Sequence, residues 1–330
     1  MKRNIVKVIC GIGLVCGLWS CESGDQSFPD YEGGTTVYFA YQYPVRTLVF
    51  GDNEEYDQTL DNAHKCKIMA TFGGSYNGSN GSVTVAVDET LCDHLFFEDG
   101  VTPVKAMPSR FYQLSTTTLN FNGTMNGATE VQFTDAFFND PDAVKNTYVI
   151  PLVMTGQTGF GKILTGSLIE GQTGSRTDAS VWDVKPMDYV LYCVKFQNKY
   201  SGWWRTHGTT STDDIESASE VQIRSLSMNT CAYTVTYQEG DQIYEADLKL
   251  SFDGSNNCTI TSMTDGVTAS GSGSWGDNTE KKAWGNKDRD GMELNYTVDF
   301  GDNHKLAVHE KMIWERSGVT IEEFSPVYVK

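Results

Sequence analysis

The sequence predicts an all-β protein built as two units, a β-sandwich followed by a closed antiparallel β-barrel. Three observations carry that prediction. Short runs rich in β-branched and aromatic residues alternate in the period of a half-buried strand, as Val83, Val85 and Val87 do against Thr84, Ala86 and Asp88. Turn signals such as Asn-Gly, Gly-Asp and Asp-Gly separate the runs. A Gly/Ser/Thr-rich stretch, Glu170 to Ser180, divides the 330 residues near their middle, and that length suits two domains of about 150 residues each.

The first segment reads as an address label. Lys2, Arg3 and Lys7 precede twelve uncharged residues, Val8 to Trp19. That is the length of a signal-peptide apolar region and well short of the ~20 residues of a membrane-spanning helix. Leu18-Trp-Ser-Cys21 resembles a bacterial lipobox, whose cysteine is lipidated and becomes the mature N-terminus. Glu22 and Asp25 follow, and acidic residues there resemble the surface-export signal of Bacteroidetes-type lipoproteins. The resemblance implies a lipid anchor in the outer membrane and display at the cell surface. Residues 1–20 are then the leader and 21–33 the tether.

Residues 34–170 are expected to form the sandwich. Strands are expected at Thr35 to Tyr41, Arg46 to Phe50, Cys66 to Phe72, Thr118 to Phe121, Glu130 to Thr134, Thr147 to Met154 and Ile163 to Ile169, with a helical turn within Asp88 to Phe97. Pro151 places its strand at an edge or a bulge, because proline cannot donate to the ladder. Phe111-Tyr-Gln-Leu-Ser115, Asn122-Gly123, Val131 to Asp135 and Tyr148 to Val153 resemble, in order and spacing, a known immunoglobulin-like domain. It is the N-terminal domain of Bacteroidetes-type glycan-utilisation lipoproteins, and in some of them it precedes a family 18 endo-glycosidase.

Residues 171–185 read as a linker by composition, and residues 186–330 as hairpin after hairpin. Tyr189 to Phe196 is a strongly β-prone run. Val221 shares a face with Ile223, as do Tyr233, Val235 and Tyr237, then Leu248, Leu250 and Phe252, then Leu294, Tyr296 and Val298. Seven to nine antiparallel strands in this length suit a closed barrel, which leaves no exposed edge. Tyr189 to Lys199, Tyr200-Ser-Gly-Trp-Trp204 and Trp314 to Phe324 resemble the lipocalin-like domains found behind the same immunoglobulin-like module. The resemblance implies that Trp204 closes the barrel floor and that Arg316, from the last strand, lies on it by cation–π stacking. Neighbouring side chains on a strand point to opposite faces, so Trp203 is then offered outward.

Charge and motifs narrow the function. Removing residues 1–20 takes away three positive charges, so the net charge moves from −18 to −21. That balance excludes nucleic acid and anionic membrane surfaces as partners, since both attract clustered Lys and Arg. Beyond Cys21 stand Cys66, Cys92, Cys193, Cys231 and Cys258, without the CxxC spacing of zinc or thioredoxin sites. An oxidising compartment permits Cys66–Cys92 or Cys231–Cys258 bridges, and buried thiols are the equal alternative. The family 18 signature D-x-x-D-x-D-x-E is absent, as are G-x-S-x-G, H-E-x-x-H and a Walker loop, and no cofactor motif is present. Asn286, Asp288 and Asp290 offer oxygens at alternate positions like a calcium loop, but position twelve is Thr297 rather than Glu. A plain Asp-Gly hairpin is the better reading.

Aromatic residues are the positive signal. All six tryptophans after the leader lie at or beyond residue 182. Trp203, Trp284, Trp275 and Tyr200 are the candidate glycan-binding residues, because an apolar sugar face stacks on an aromatic ring at about 1 kcal/mol per contact. The family resemblance implies a non-catalytic lipoprotein that captures oligosaccharide for an outer-membrane importer and its companion lipoprotein. A structural or adhesin-type surface role is the alternative. A glycoside-active enzyme with carboxylates brought from separate loops is the third.

Overall fold

The structure, a computed structural model, describes residues 29–52, 55–210 and 214–330. Cys21 and the leader lie outside the described residues. The fold is all-β, a curled sheet followed by a closed barrel. The first unit is one twelve-stranded sheet that wraps an aromatic core including Phe39, Phe72, Phe121, Phe133, Phe137 and Phe196. Lys65–Gly73 pairs antiparallel with Asn126–Phe133, and Ser82–Val87 with Tyr148–Thr158. The helical turn expected after Asp88 is a short 3-10 segment, Glu89–Cys92, whose Thr90 N–H is accepted by the Asp88 carboxylate at 3.1 Å.

Two strands lie deeper than their sequence indicates. Tyr148–Thr158 sits inside the sheet rather than at its edge. Pro151 is tolerated there because its carbonyl accepts from Asp88, just past the end of Ser82–Val87, so the missing N–H falls where pairing stops. Tyr189–Gln197 is not a barrel strand. It pairs antiparallel with Tyr148–Thr158 and parallel with Pro44–Val49. Val190, Val194 and Phe196 face the main core, whereas Tyr189, Leu191 and Cys193 face a second apolar cluster with Val45, Leu95 and Phe97. A strand buried on both faces reads as an unbroken apolar run.

The stretch expected to be a linker belongs to the sandwich. Trp182–Val184 pairs with Ser167–Leu168, and the Trp182 indole donates to the Ser175 carbonyl at 2.9 Å. Arg176 Nε reaches both carboxylate oxygens of the buried Asp188 at 3.2 Å. Its Gly, Ser and Thr residues close turns that are hydrogen-bonded to the fold.

The barrel spans eight strands, Gly202–Thr210, Asp214–Ser225, Thr230–Glu239, Gln242–Phe252, Asn257–Ser262, Thr268–Glu280, Arg289–Asp299 and Lys305–Arg316, and the first pairs with the last. The chain enters it through Asn198, which is buried. The Asn198 amide donates to the carbonyls of Ser227 and Thr230 at 2.6 and 3.1 Å and accepts from Tyr200 N–H and Ser201 Oγ at 3.1 and 2.9 Å. An unsatisfied buried amide costs roughly 1–3 kcal/mol, so this fully used side chain fixes the joint. Gly202 follows at φ +124, where a Cβ would stand 2.7 Å from the Arg316 carbonyl oxygen, so only glycine lets the first and last strands meet there.

After Arg316 the chain returns to the sandwich. Glu322–Glu323 pairs with Pro44 and Val45, Phe324 inserts between Tyr43 and Phe97, and Val327–Tyr328 pairs with Leu95–Phe96. The expected division at 170 and 186 is therefore corrected: the sandwich holds residues up to Gln197 and the C-terminal segment from Glu322, and the barrel is inserted between them. All five described cysteines are free thiols. Cys66 faces the sandwich core, while Cys231 and Cys258 face the barrel core on strands separated by Gln242–Phe252. Burial pushes the thiols of Cys66, Cys92, Cys193 and Cys258 up to about 12, and that of Cys231 up to about 11.

Candidate functional site

The barrel interior is filled by side chains. Eight strands enclose a space that side chains can close, and here Trp204, Tyr233, Leu248, Tyr296, Met312 and Trp314 occupy it. Trp204 is 0% exposed and stands opposite Trp314 across the barrel seam. Among these residues lies one carboxyl that the sequence reading missed. Glu310 is 1% exposed and accepts from Thr206 Oγ1 at 2.8 Å, Tyr233 OH at 3.2 Å and Tyr296 OH at 2.8 Å. Burial among neutral groups raises its pKa above the ordinary carboxyl value, and the three donors only partly oppose that. The signal was in the alternation: Leu306, Val308, Glu310, Met312 and Trp314 occupy one face of a strand.

Arg316 lies on Trp203, not on Trp204. Its guanidinium is 4.9 Å from the Trp203 ring centre. The pairing of the first and last strands shifts by one residue between Trp203 and Trp204, and that bulge turns Arg316 outward while Trp314 stays inside. From there a ladder of charges runs over the outer wall. Arg316 contacts Glu220 at 3.3 Å and Glu315 at 2.9 Å, and Arg205 contacts the same two carboxylates at 3.3 and 2.7 Å. Hydrogen bonding to Arg316 holds the Glu220 carboxyl below its usual range. Trp284 ends the ladder, with Arg205 and Arg289 at 5.6 and 5.4 Å from its ring centre. Trp203 and Trp284 are half-buried on this wall.

Tyr200 and Trp275 meet elsewhere, at the barrel end beneath the sandwich. Tyr200 is buried, stacked on Phe252 with 3.8 Å between ring centres, and its hydroxyl donates to Asn256 Oδ1 at 2.9 Å. It is a core residue and offers no ring to a ligand. Trp275 packs edge-on to Tyr200 and carries Lys199 Nζ 4.4 Å from its ring centre. The calcium-type oxygens are also committed. Asp288 accepts from Lys281 Nζ and the Lys282 N–H at 2.9 and 3.1 Å, and Asp290 accepts from the Asn278 N–H at 2.9 Å. Asn286 turns at φ 55, and no group of three metal-ligating side chains forms among the described residues.

An open groove of about 560 Å³ lies where the barrel's outer wall meets the sandwich. Val144, Lys145, Lys195 and Gln197 form the sandwich side, and Gln222, Arg224, Asp247 and Met263 the barrel side. The returning segment, Ser317 to Val319 with Glu322, closes one end. Trp203 adjoins the groove through two of its lining residues: Gln222 is its cross-strand partner, and Gly318 lies against its indole so closely that a Cβ would sit 2.6 Å from Nε1. The groove could not be read from the sequence, because its walls are assembled from separate segments scattered between Thr47 and Glu322.

The two units match separate families. Residues 195–318 match a domain of unknown function, DUF5627, and residues 31–161 match a family described as a "-like, N-terminal domain". No curated protein matches the chain. A crystal structure of a Bacteroides ovatus protein of unknown function is 33% identical and superposes with a TM-score of 0.82, covering 91% of this chain and 100% of that one. A Bacteroides ovatus multidomain protein that includes DUF1735 covers 84% of this chain and 94% of its own at 12% identity and a TM-score of 0.38, too remote to bear on the fold. By identity and coverage, the chain belongs to the same family as the first of these Bacteroides ovatus proteins, a Bacteroidetes-type family of two-domain all-β architecture.

Proposed function

We propose that the protein is a lipid-anchored, surface-displayed lipoprotein that binds oligosaccharide in the groove between sandwich and barrel, without chemistry of its own, for a neighbouring outer-membrane importer. The groove carries this reading. Ligand sites concentrate at domain junctions in volumes of about 300–1,000 Å³, and this one combines amide, guanidinium, ammonium and carboxylate groups with the apolar Val144, Met263 and Val319. That mixture suits a ligand with apolar ring faces and many hydroxyls. The packed barrel interior supports the same choice, because it leaves the outer surfaces to do the binding.

Calorimetric titration with a panel of oligosaccharides tests it. Trp203→Ala and Gln222→Ala are each expected to weaken the bound oligosaccharide about tenfold, which is ~1.4 kcal/mol. Gln222→Ala should not move the melting temperature appreciably, since surface substitutions cost under ~0.5 kcal/mol, whereas Trp203→Ala also loses the Arg316 and Gly318 contacts and is read beside its own melt. If both variants bind as the wild type does, the groove is not the site.

A further inference from the structure

We infer that the groove accepts neutral oligosaccharides and turns acidic ones away; this rests on the groove being the binding site. Three cations face it, and each already holds a carboxylate. Lys195 Nζ is 2.9 Å from Glu322, Arg224 is 3.6 Å from Asp247, and Lys145 is 3.7 Å from Asp142. Asp247 is fixed further by the Thr234 hydroxyl, which donates to it at 2.6 Å. A uronate or sulfate brought to any of these cations must displace the resident carboxylate and leave it beside the incoming charge, which is how a site rejects a ligand by repulsion. The chain's net charge of −18 adds repulsion on approach.

The neutral groups are differently placed. The Gln222 amide makes no side-chain hydrogen bond among the described residues, and it stands beside the indole of Trp203. It has donor and acceptor capacity free for a hydroxyl pair. The groove thus offers uncommitted hydrogen bonding to hydroxyls and only pre-paired charge to anions.

The test titrates the full chain with neutral, uronate-bearing and sulfated oligosaccharides of matched length. Neutral ligands are expected to bind at least tenfold more tightly than their acidic counterparts. Glu322→Gln and Asp247→Asn, which free Lys195 and Arg224, should each improve binding of the acidic ligand several-fold relative to the neutral one. That gain should disappear at high salt. Acidic ligands that bind the wild type as well as neutral ones, and that lose affinity in Lys195→Ala, would overturn the selectivity and leave the groove assignment standing. If no class binds, or if binding ignores Trp203→Ala and Gln222→Ala, the groove assignment itself falls and the selectivity with it.

Discussion

Replacing Phe324 by alanine should destabilise the sandwich and spare the barrel, although Phe324 follows the barrel in sequence. Its ring is 2% exposed, 5.0 Å from Phe97 and 5.5 Å from Tyr43, in the cluster that also holds Val45, Leu95 and Leu191. Truncating a buried Phe to Ala costs about 3–5 kcal/mol through lost transfer energy and the cavity left behind. In a unit of about 180 residues each kcal/mol moves the melting temperature by roughly 2–4 °C, so the sandwich transition should fall by about 6–20 °C. Scanning calorimetry records both transitions. Tryptophan emission is weighted to the barrel, since among the described residues Trp203, Trp204, Trp275, Trp284 and Trp314 lie in it and Trp182 lies in the sandwich. A sandwich transition that stays in place, or a barrel emission transition that drops by the same amount, would refute the assignment of the C-terminal segment to the first unit.

Further outcomes follow from the same structure. Trp204→Ala should lower barrel stability by about 3–5 kcal/mol, read as a shift in the emission transition; an unmoved transition would contradict its burial. The raised pKa of Glu310 means that the folded barrel holds a proton more tightly than the unfolded chain. Its contribution is therefore complete below the ordinary carboxyl value of 4.5 and is lost as pH rises through the raised one. Paired melts should show wild type losing stability relative to Glu310→Gln as pH increases from 4.5, and a pH-independent difference would count against this. Residues 29–197 joined to 321–330 by a short flexible linker should fold without the barrel, whereas 29–172 alone should not, because it lacks Tyr189–Gln197; circular dichroism melts distinguish them. Cys21→Ala should release soluble protein from the membrane fraction, and wild type that resists added protease until lysis would exclude surface display.

Much of the strand layout was legible in the sequence, because alternation and turn chemistry act locally. The runs at Cys66, Val83, Tyr233, Leu248 and Leu294 form strands, and Val83 and Val85 point inward as expected, whereas Val87 at the strand's end is exposed. What escaped was set by distant chain. Tyr189–Gln197 is apolar on both faces, so its pattern cannot say which unit it serves. Tyr200 precedes Gly202, and the alternation of the strand does not extend back across that turn to reveal its burial. Arg316 and Trp314 are two apart and should share a face, but one bulge separates them. Phe324 lies in a polar-looking tail whose partners, Tyr43 and Phe97, are over two hundred residues upstream.

The insertion of the barrel into the sandwich fixes an order of completion. Pro44–Val49 lies between Tyr189–Gln197 and Glu322–Glu323, so both of its neighbours are synthesised long after it. Until Glu322–Glu323 emerges, an early strand keeps an open edge, the kind that pairs with other chains. Such non-local pairing is slow, because the loop must close before any contact forms. The barrel closes within Gly202–Arg316 and has no such wait. Of the two units, the one that starts earlier is thus finished later, because Pro44–Val49 waits for Glu322–Glu323 while the barrel closes on itself.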